Sequence, residues 1–255
     1  MISILTALRS NSRIFYNASS ALLYPTKCSV CEAMNDSLQG GVACLSCWNI
    51  SELEHVNFDT CEKCESFLPR LGASSQTRLC EHCKNLSFIA ARSCGSYKGA
   101  FREVILKLKT SPQIPDRLLK NLVEAFHRLP NAAQISMMIP IPLHRERLRE
   151  RGFNQAEIIA EALSKALPLR TQNTCVIREK ATDRHRAGMD FRKRQQIIKG
   201  AFTVRSPKII YEKNILLLDD VMTSGSTANE LAEVLLNSGA ASVSLLTVAR
   251  ANIFQ

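Results

Sequence analysis

Eight of the ten cysteines fall between positions 28 and 83 as four Cys-x-x-Cys pairs: Cys28/Cys31, Cys44/Cys47, Cys61/Cys64 and Cys80/Cys83. A thiolate pair two residues apart forms a knuckle whose sulfurs face one tetrahedral ion. Two knuckles complete a four-thiolate site, for which zinc is the natural occupant. A thiol–disulfide redox motif accounts for one such pair, not for four in succession. A secreted disulfide scaffold would call for a secretory signal, and the apolar run Ile2–Leu8 is too broken by polar residues to be one. Sequential pairing (28/31 with 44/47, 61/64 with 80/83) gives two ribbons and two ions; cross-braced pairing is also compatible with the spacing. The segment has few large apolar residues, so one or two structural zinc ions are expected to supply much of its folding free energy. Cys94 and Cys175 stand alone in apolar stretches.

A second constellation is the stretch Asn214-Ile-Leu-Leu-Leu-Asp-Asp-Val-Met-Thr-Ser-Gly-Ser-Thr-Ala228. The apolar run Ile215–Leu218 predicts a central buried strand. It ends in Asp219 and Asp220, followed by a loop of small hydroxyl residues around Gly225 and then a helix. In open α/β sheets ligands bind beyond the carboxyl ends of the strands. Backbone amides and hydroxyls at a helix N-terminus cradle an anion, so Thr223, Ser224, Gly225, Ser226 and Thr227 are expected to hold a phosphate. Two adjacent carboxylates repel that phosphate; their partners are sugar hydroxyls or a divalent cation one step away. A ribose 5-phosphate satisfies both halves. The stretch matches neither the dinucleotide-binding nor the Walker-type glycine pattern. A third constellation, Pro140 to Gln155, follows another strand with Arg145, Arg147 and Arg151, which are positioned to face a pyrophosphate.

The 215–227 stretch closely resembles the phosphoribosyl pyrophosphate (PRPP) binding motif of type I phosphoribosyltransferases. With Arg151-Gly-Phe-Asn-Gln155 and the cysteine ribbons, nearly the whole chain, about 28–250, resembles the ComF/GntX family of competence-associated proteins. The resemblance implies that Asp219 and Asp220 contact the ribose 2- and 3-hydroxyls, that Thr223–Thr227 take the 5-phosphate, and that Mg²⁺ rides on the pyrophosphate. Arg145, Arg151 and Asn154 are carried over as ligand-binding residues. Lys109 joins them through the match at Leu108-Lys109, and Tyr97-Lys98-Gly99 also matches. The implied function is PRPP and Mg²⁺ binding, linked to DNA uptake in natural competence and leaning to phosphoribosyl transfer. The alternatives are a non-catalytic single-stranded DNA-binding factor and a PRPP-sensing regulator. Partners implied are PRPP or another ribose 5-phosphate ligand, single-stranded DNA and the DNA-uptake machinery, in the cytoplasm.

These groups need a scaffold. From about residue 88, strand-like stretches (88–97, 135–142, 174–178, 214–220, 242–249) alternate with helical ones (99–109, 116–128, 154–167, 226–238). That is the pattern of an α/β domain with a mainly parallel sheet and helices on both faces. The expected organisation is an N-terminal amphipathic segment (1–27), a double zinc ribbon (28–87) and a phosphoribosyltransferase-like domain (88–255). Over 255 residues, 45% hydrophobic and 22% charged composition excludes a disordered or collagen-like chain. No apolar run reaches the roughly 20 residues of a membrane helix.

The net charge of +10 is uneven: residues 141–205 carry net +8 and residues 206–255 net −2. The basic stretch Arg178–Phe202 reads as a hood over an anionic ligand, with Arg184, Arg186, Arg192, Lys193 and Arg194 as its cations and Gly200-Ala-Phe202 as its closing strand. The related family carries Gln and Asn where Arg186 and Ile197 stand. Aromatic residues are only 6%, with one Trp, which gives little support for base stacking.

Overall fold

The computed structural model describes residues 26–35, 41–53, 60–68, 78–181 and 198–251. Residues 1–25 of the N-terminal segment and the middle of the hood, including Arg184 to Arg194, lie outside them. In chain order the elements are β1 (Thr26–Lys27), β2 (Met34–Asn35), α1 (Leu45–Leu53), β3 (Ala91–Ser96), α2 (Gly99–Leu108), α3 (Asp116–His127), β4 (Met137–Pro140), α4 (Arg145–Arg151), α5 (Gln155–Ala166), β5 (Arg170–Thr171), β6 (Val176–Arg178), β7 (Phe202–Val204), α6 (Pro207–Ile210), β8 (Asn214–Met222), α7 (Ser226–Asn237) and β9 (Ser242–Arg250).

Five strands form one parallel sheet in the order β3-β9-β8-β4-β5. Both faces are covered, which is why its central strands are continuous apolar runs. Along β8 the side chains alternate between two core layers. Leu216 and Leu218 join Phe101, Leu122 and Ile159 from α2, α3 and α5; Ile215 and Leu217 join Leu231 and Leu235 from α7. The chain leaves β4 towards β5 on one side, while β8 lies on β4's other side and continues to β9. The crevice between the carboxyl ends of β4 and β8 is therefore the topological switch point, where α/β sheets bind ligands.

The stretch 174–178 departs from the sequence expectation. Val176–Arg178 pairs antiparallel with Phe202–Val204 in a separate hairpin, outside the parallel sheet. The edge beside β4 is taken instead by Arg170–Thr171, leaving 176–178 to pair with the chain returning from the basic stretch. Between β4 and α5 the chain forms a further short helix, α4. Its seven residues are Arg, Glu and Leu, all good helix formers. His144 Nδ1 accepts from the Glu146 amide at its start, and Gly152 at φ +79° stops it with its amide on Leu148 O.

The cysteine segment shares the core of the sheet. Trp48 of α1 is fully buried against Phe101 of α2, edge to face with ring centroids 5.3 Å apart. Ser51 Oγ accepts from the Ala100 amide at 3.1 Å, and Glu52 pairs with Arg117 of α3. Cys28, Cys44 and Cys47 belong to the α2/α3/α5 layer, whereas Cys61, Cys64, Cys80 and Cys83 belong to the α7 layer.

Candidate functional site

The eight cysteines form two clusters, Cys28/Cys31/Cys44/Cys47 and Cys61/Cys64/Cys80/Cys83, with the sulfurs of each within 4.8 Å of one another. The pairing is sequential. All ten cysteines are free thiols. The knuckles are built alike: the Cys28 and Cys61 amides each bond a carbonyl five residues on, at 2.8 Å. Glu32 and Glu65, directly after the second cysteine of the pair, both adopt left-handed backbone, at φ +61° and +55°. Backbone amides point at sulfur, Cys44 N at Cys28 Sγ and Cys80 N at Cys61 Sγ, both at 3.3 Å. The approaches Cys31–Cys44 and Cys64–Cys80 are 3.8 and 3.7 Å. Zinc–sulfur bonds of about 2.3 Å give a tetrahedral edge of about 3.8 Å. Each cluster thus has the donor set and spacing to hold one zinc ion, with all four positions taken by sulfur.

The switch-point crevice is a cavity of about 400 Å³ lined by Tyr97, Lys109, Ile141–Leu143, Arg147, Arg151, Asn154, Arg178, Asp219, Asp220, Thr223 and Thr227, among others. Strand β8 runs two residues beyond the acid pair, so Asp219 and Asp220 sit within its last turn of pleat and the connecting turn is 223–225. The Asp220 amide donates to Asp219 Oδ1 at 2.9 Å. Burial and the neighbouring Asp220 carboxylate hold the Asp219 carboxyl well above the usual range, with Arg178 pulling the other way. Gly225 at φ +76° turns the chain into α7; as N-cap it offers no side chain, and the Ser226 amide at the helix start donates to Ser224 Oγ at 3.4 Å. A β-carbon on Gly225 would lie 2.8 Å from Met222 Cε, so the turn admits only glycine without displacement. Ser224 and Ser226 are buried with their hydroxyls 2.8 Å apart. Thr223 and Thr227 are the loop side chains that line the cavity.

Opposite the acids, Arg151 closes α4 and donates to Gln155 Oε1 at 2.6 Å. Burial and the Arg147 guanidinium lower its proton affinity, while Asp220 and Asp219 oppose that shift. Asn154 is buried and lines the same cavity, yet its side chain already makes structural bonds. Its Oδ1 caps α5 through the Ala156 amide at 3.1 Å, and its Nδ2 donates to Ile141 O at 3.1 Å. It pins the β4 loop to the helix start.

The structure thus brings Asp219, Asp220, Thr223, Thr227, Arg151, Asn154 and Lys109 to one cavity, with Ser224, Gly225 and Ser226 forming the turn behind it. Arg145 instead lines an adjoining depression of about 530 Å³ with His144, Glu157 and Arg205. Helical spacing explains the split: Arg147 and Arg151, four apart, share a face of α4, and Arg145 does not. Arg178 was legible only as the start of a basic stretch. It stands 5.4 Å from the Phe202 ring across the hairpin and lines both depressions. Among the described residues no helix is long and apolar enough to cross a membrane.

No family model matches the chain. Among curated proteins it is 36% identical over 115 residues to competence protein F of Haemophilus influenzae, covering 45% of this chain and 50% of that protein. It is 34% identical over 114 residues to the DNA utilization protein YhgH of Escherichia coli K12 (44% and 48%). It is 37% identical over 118 residues to competence protein ComFC of Bacillus subtilis 168 (45% and 44%). The chain thus spans about half the length of the curated relatives it matches, and these relatives support the ComF family. Among solved structures, it is similar to the glutamine PRPP amidotransferase of B. subtilis, at 15% identity and TM-score 0.34 over 51% of this chain and 26% of that one. It is also similar to a structure titled the allosteric regulatory enzyme of purine biosynthesis, at 14% and 0.35 over 56% and 30%.

Proposed function

We propose that this ComF-type chain binds PRPP with Mg²⁺ in the β4–β8 crevice and acts as a phosphoribosyltransferase-like protein linked to DNA uptake. One observation carries the reading: an acid pair, a helix start with glycine at its N-cap and an arginine cluster converge on a single cavity at the switch point. Asp219 and Asp220 accept from the ribose hydroxyls, and the Thr223–Thr227 turn holds the 5-phosphate through its amides and hydroxyls. Arg147, Arg151, Lys109 and Arg178 are the cations available to the pyrophosphate. Mg²⁺ bound with PRPP would neutralise charge on the pyrophosphate oxygens. Asn154 and Gln155 hold the β4 loop and Arg151 in register. In turnover, the bond from C1 to pyrophosphate breaks through an oxocarbenium-like transition state as the nucleophile of an unidentified acceptor bonds to C1. The protein contributes by orientation and by stabilising charge on the leaving pyrophosphate.

Binding of single-stranded DNA or sensing of PRPP by the same cavity is the second reading, supported by the competence and DNA-utilization names of the relatives. Calorimetric titration with PRPP and Mg²⁺ tests the first: wild type binds, and Asp219→Asn/Asp220→Asn loses at least tenfold in affinity. Absence of binding in the wild type sinks it. Salt-dependent retention of single strands without PRPP binding favours the second.

A further inference from the structure

The second cysteine cluster lies directly behind the anion turn. Arg250, the last residue of β9, is 5% exposed. Its Nη1 donates to Cys64 O at 2.7 Å and lies 3.5 Å from Met222 Sδ, the last residue of β8. Met222 Cε in turn packs on Gly225, beside Leu86 Cδ1 and Phe88 Cε1, which would lie 3.6 and 3.8 Å from a β-carbon there. Leu86 follows directly on the cluster's final knuckle, with its amide on Cys83 O. The next residue, Ser87, donates its amide to Asn229 Oδ1 of α7 at 2.6 Å. Two routes thus run from the cluster to the turn, one through a buried guanidinium and one through the 86–88 segment.

From these contacts we infer that Arg250 is a positioning residue: it ties the knuckle of the second cluster to the 222–227 turn, so that metal held there sets the shape of the anion cradle. Among the described residues the first cluster shows no such route: its helix α1 contacts β3 and α2, and Glu52 pairs with Arg117 of α3. Both contacts of Arg250 come from one nitrogen, Nη1, whose two N–H donors lie in the fixed guanidinium plane, so Cys64 O and Met222 Sδ are held relative to one another. The Arg250 Nε is buried with no hydrogen-bond partner among the described residues. The Nη1 bond to Cys64 O therefore holds the guanidinium, and losing it would leave a buried cation unpaired at a cost that couples knuckle to turn.

Amide hydrogen exchange on the full-length zinc-loaded protein tests this without relying on activity. Arg250→Gln, with zinc content unchanged, should speed exchange at 222–230 at least tenfold and leave 45–53 and 99–108 as in wild type. Cys61→Ser should do the same with loss of one zinc, whereas Cys28→Ser should loosen 45–53 and 99–108 and spare 222–230. Unchanged protection at 222–230 in Arg250→Gln, or equal loosening of both regions, overturns the inference. If Cys61→Ser fails to fold, Arg250→Gln alone decides. The inference rests on the proposed site for its ligand consequence, a PRPP affinity at least tenfold lower in Arg250→Gln. A wild type that binds no PRPP defeats that site and leaves the exchange comparison to decide the coupling.

Discussion

The two cysteine clusters share a local design and differ in what they hold. Both use a Cys-x-x-Cys-Glu knuckle with the glutamate in left-handed backbone, and the equivalent approaches Cys31–Cys44 and Cys64–Cys80 agree to 0.1 Å. The first carries α1, whose Trp48 and Ser51 grip the N-terminal end of α2, and one of its sulfurs, Cys31, faces solvent. The second has all four cysteines buried and is linked to the turn between β8 and α7 through Arg250 and Met222. Duplicating a metal knuckle therefore does not duplicate a role. The edge strand β3 separates the copies into different core layers, so one braces helices and the other braces the candidate phosphate cradle.

Metal removal is the largest perturbation. Zinc binding by small thiolate-rich sites supplies about 10–16 kcal/mol of apparent free energy. Because the cysteines donate to both core layers, a strong chelator should abolish the cooperative unfolding transition of the whole chain. Scanning calorimetry with parallel metal analysis reads this, and an intact transition at zero zinc would break the comparison at its root. Next comes Trp48→Ala, expected to cost about 3–5 kcal/mol in denaturant unfolding, with PRPP affinity unchanged in the folded fraction. An affinity loss there would place the first cluster in the binding machinery after all.

Gly225→Ala should cost about 1–3 kcal/mol through left-handed backbone strain and the contact with Met222. It should lower PRPP affinity while both zincs are retained, as unfolding, titration and metal counts would show. The smallest effect concerns Asp219. Its folded-state pKa is raised, so the stabilising contribution is complete below the ordinary carboxylate pKa of about 4. That contribution is lost as pH rises through the raised folded value. Asp219→Asn should therefore melt at higher temperature than wild type near neutral pH, with the gap closing as pH falls towards 4. A gap independent of pH would contradict the burial argument.

Much of this arrangement was legible in the residues. The apolar run 215–218, the acid pair and the hydroxyl-rich turn announce a strand, a ligand edge and a helix start, because each signal is local. The parallel sheet follows from alternating patterns spaced for crossovers. The spacing of the cysteine pairs left sequential and cross-braced pairing open, since only three-dimensional packing decides which knuckles meet. The hairpin at 176–178 was misplaced because its partner lies across a basic stretch with no hydrophobic period. Arg145 rather than Arg147 is carried over as a ligand-binding residue from the sequence, whereas α4 turns Arg147 to the cavity and Arg145 to the adjoining depression. Arg250 stands in sequence just past the expected strand 242–249; its contacts with Cys64 and Met222 are long-range, and no local pattern encodes them.

The account turns on the ligand in the β4–β8 crevice, and the most direct measurement is a crystal structure of the protein grown with saturating PRPP and Mg²⁺. The account predicts density in the crevice, with the 5-phosphate within hydrogen-bond reach of the Thr223–Thr227 amides and the ribose hydroxyls on Asp219 and Asp220. An empty crevice under those conditions, or PRPP bound elsewhere on the arginine-rich surface, would contradict it.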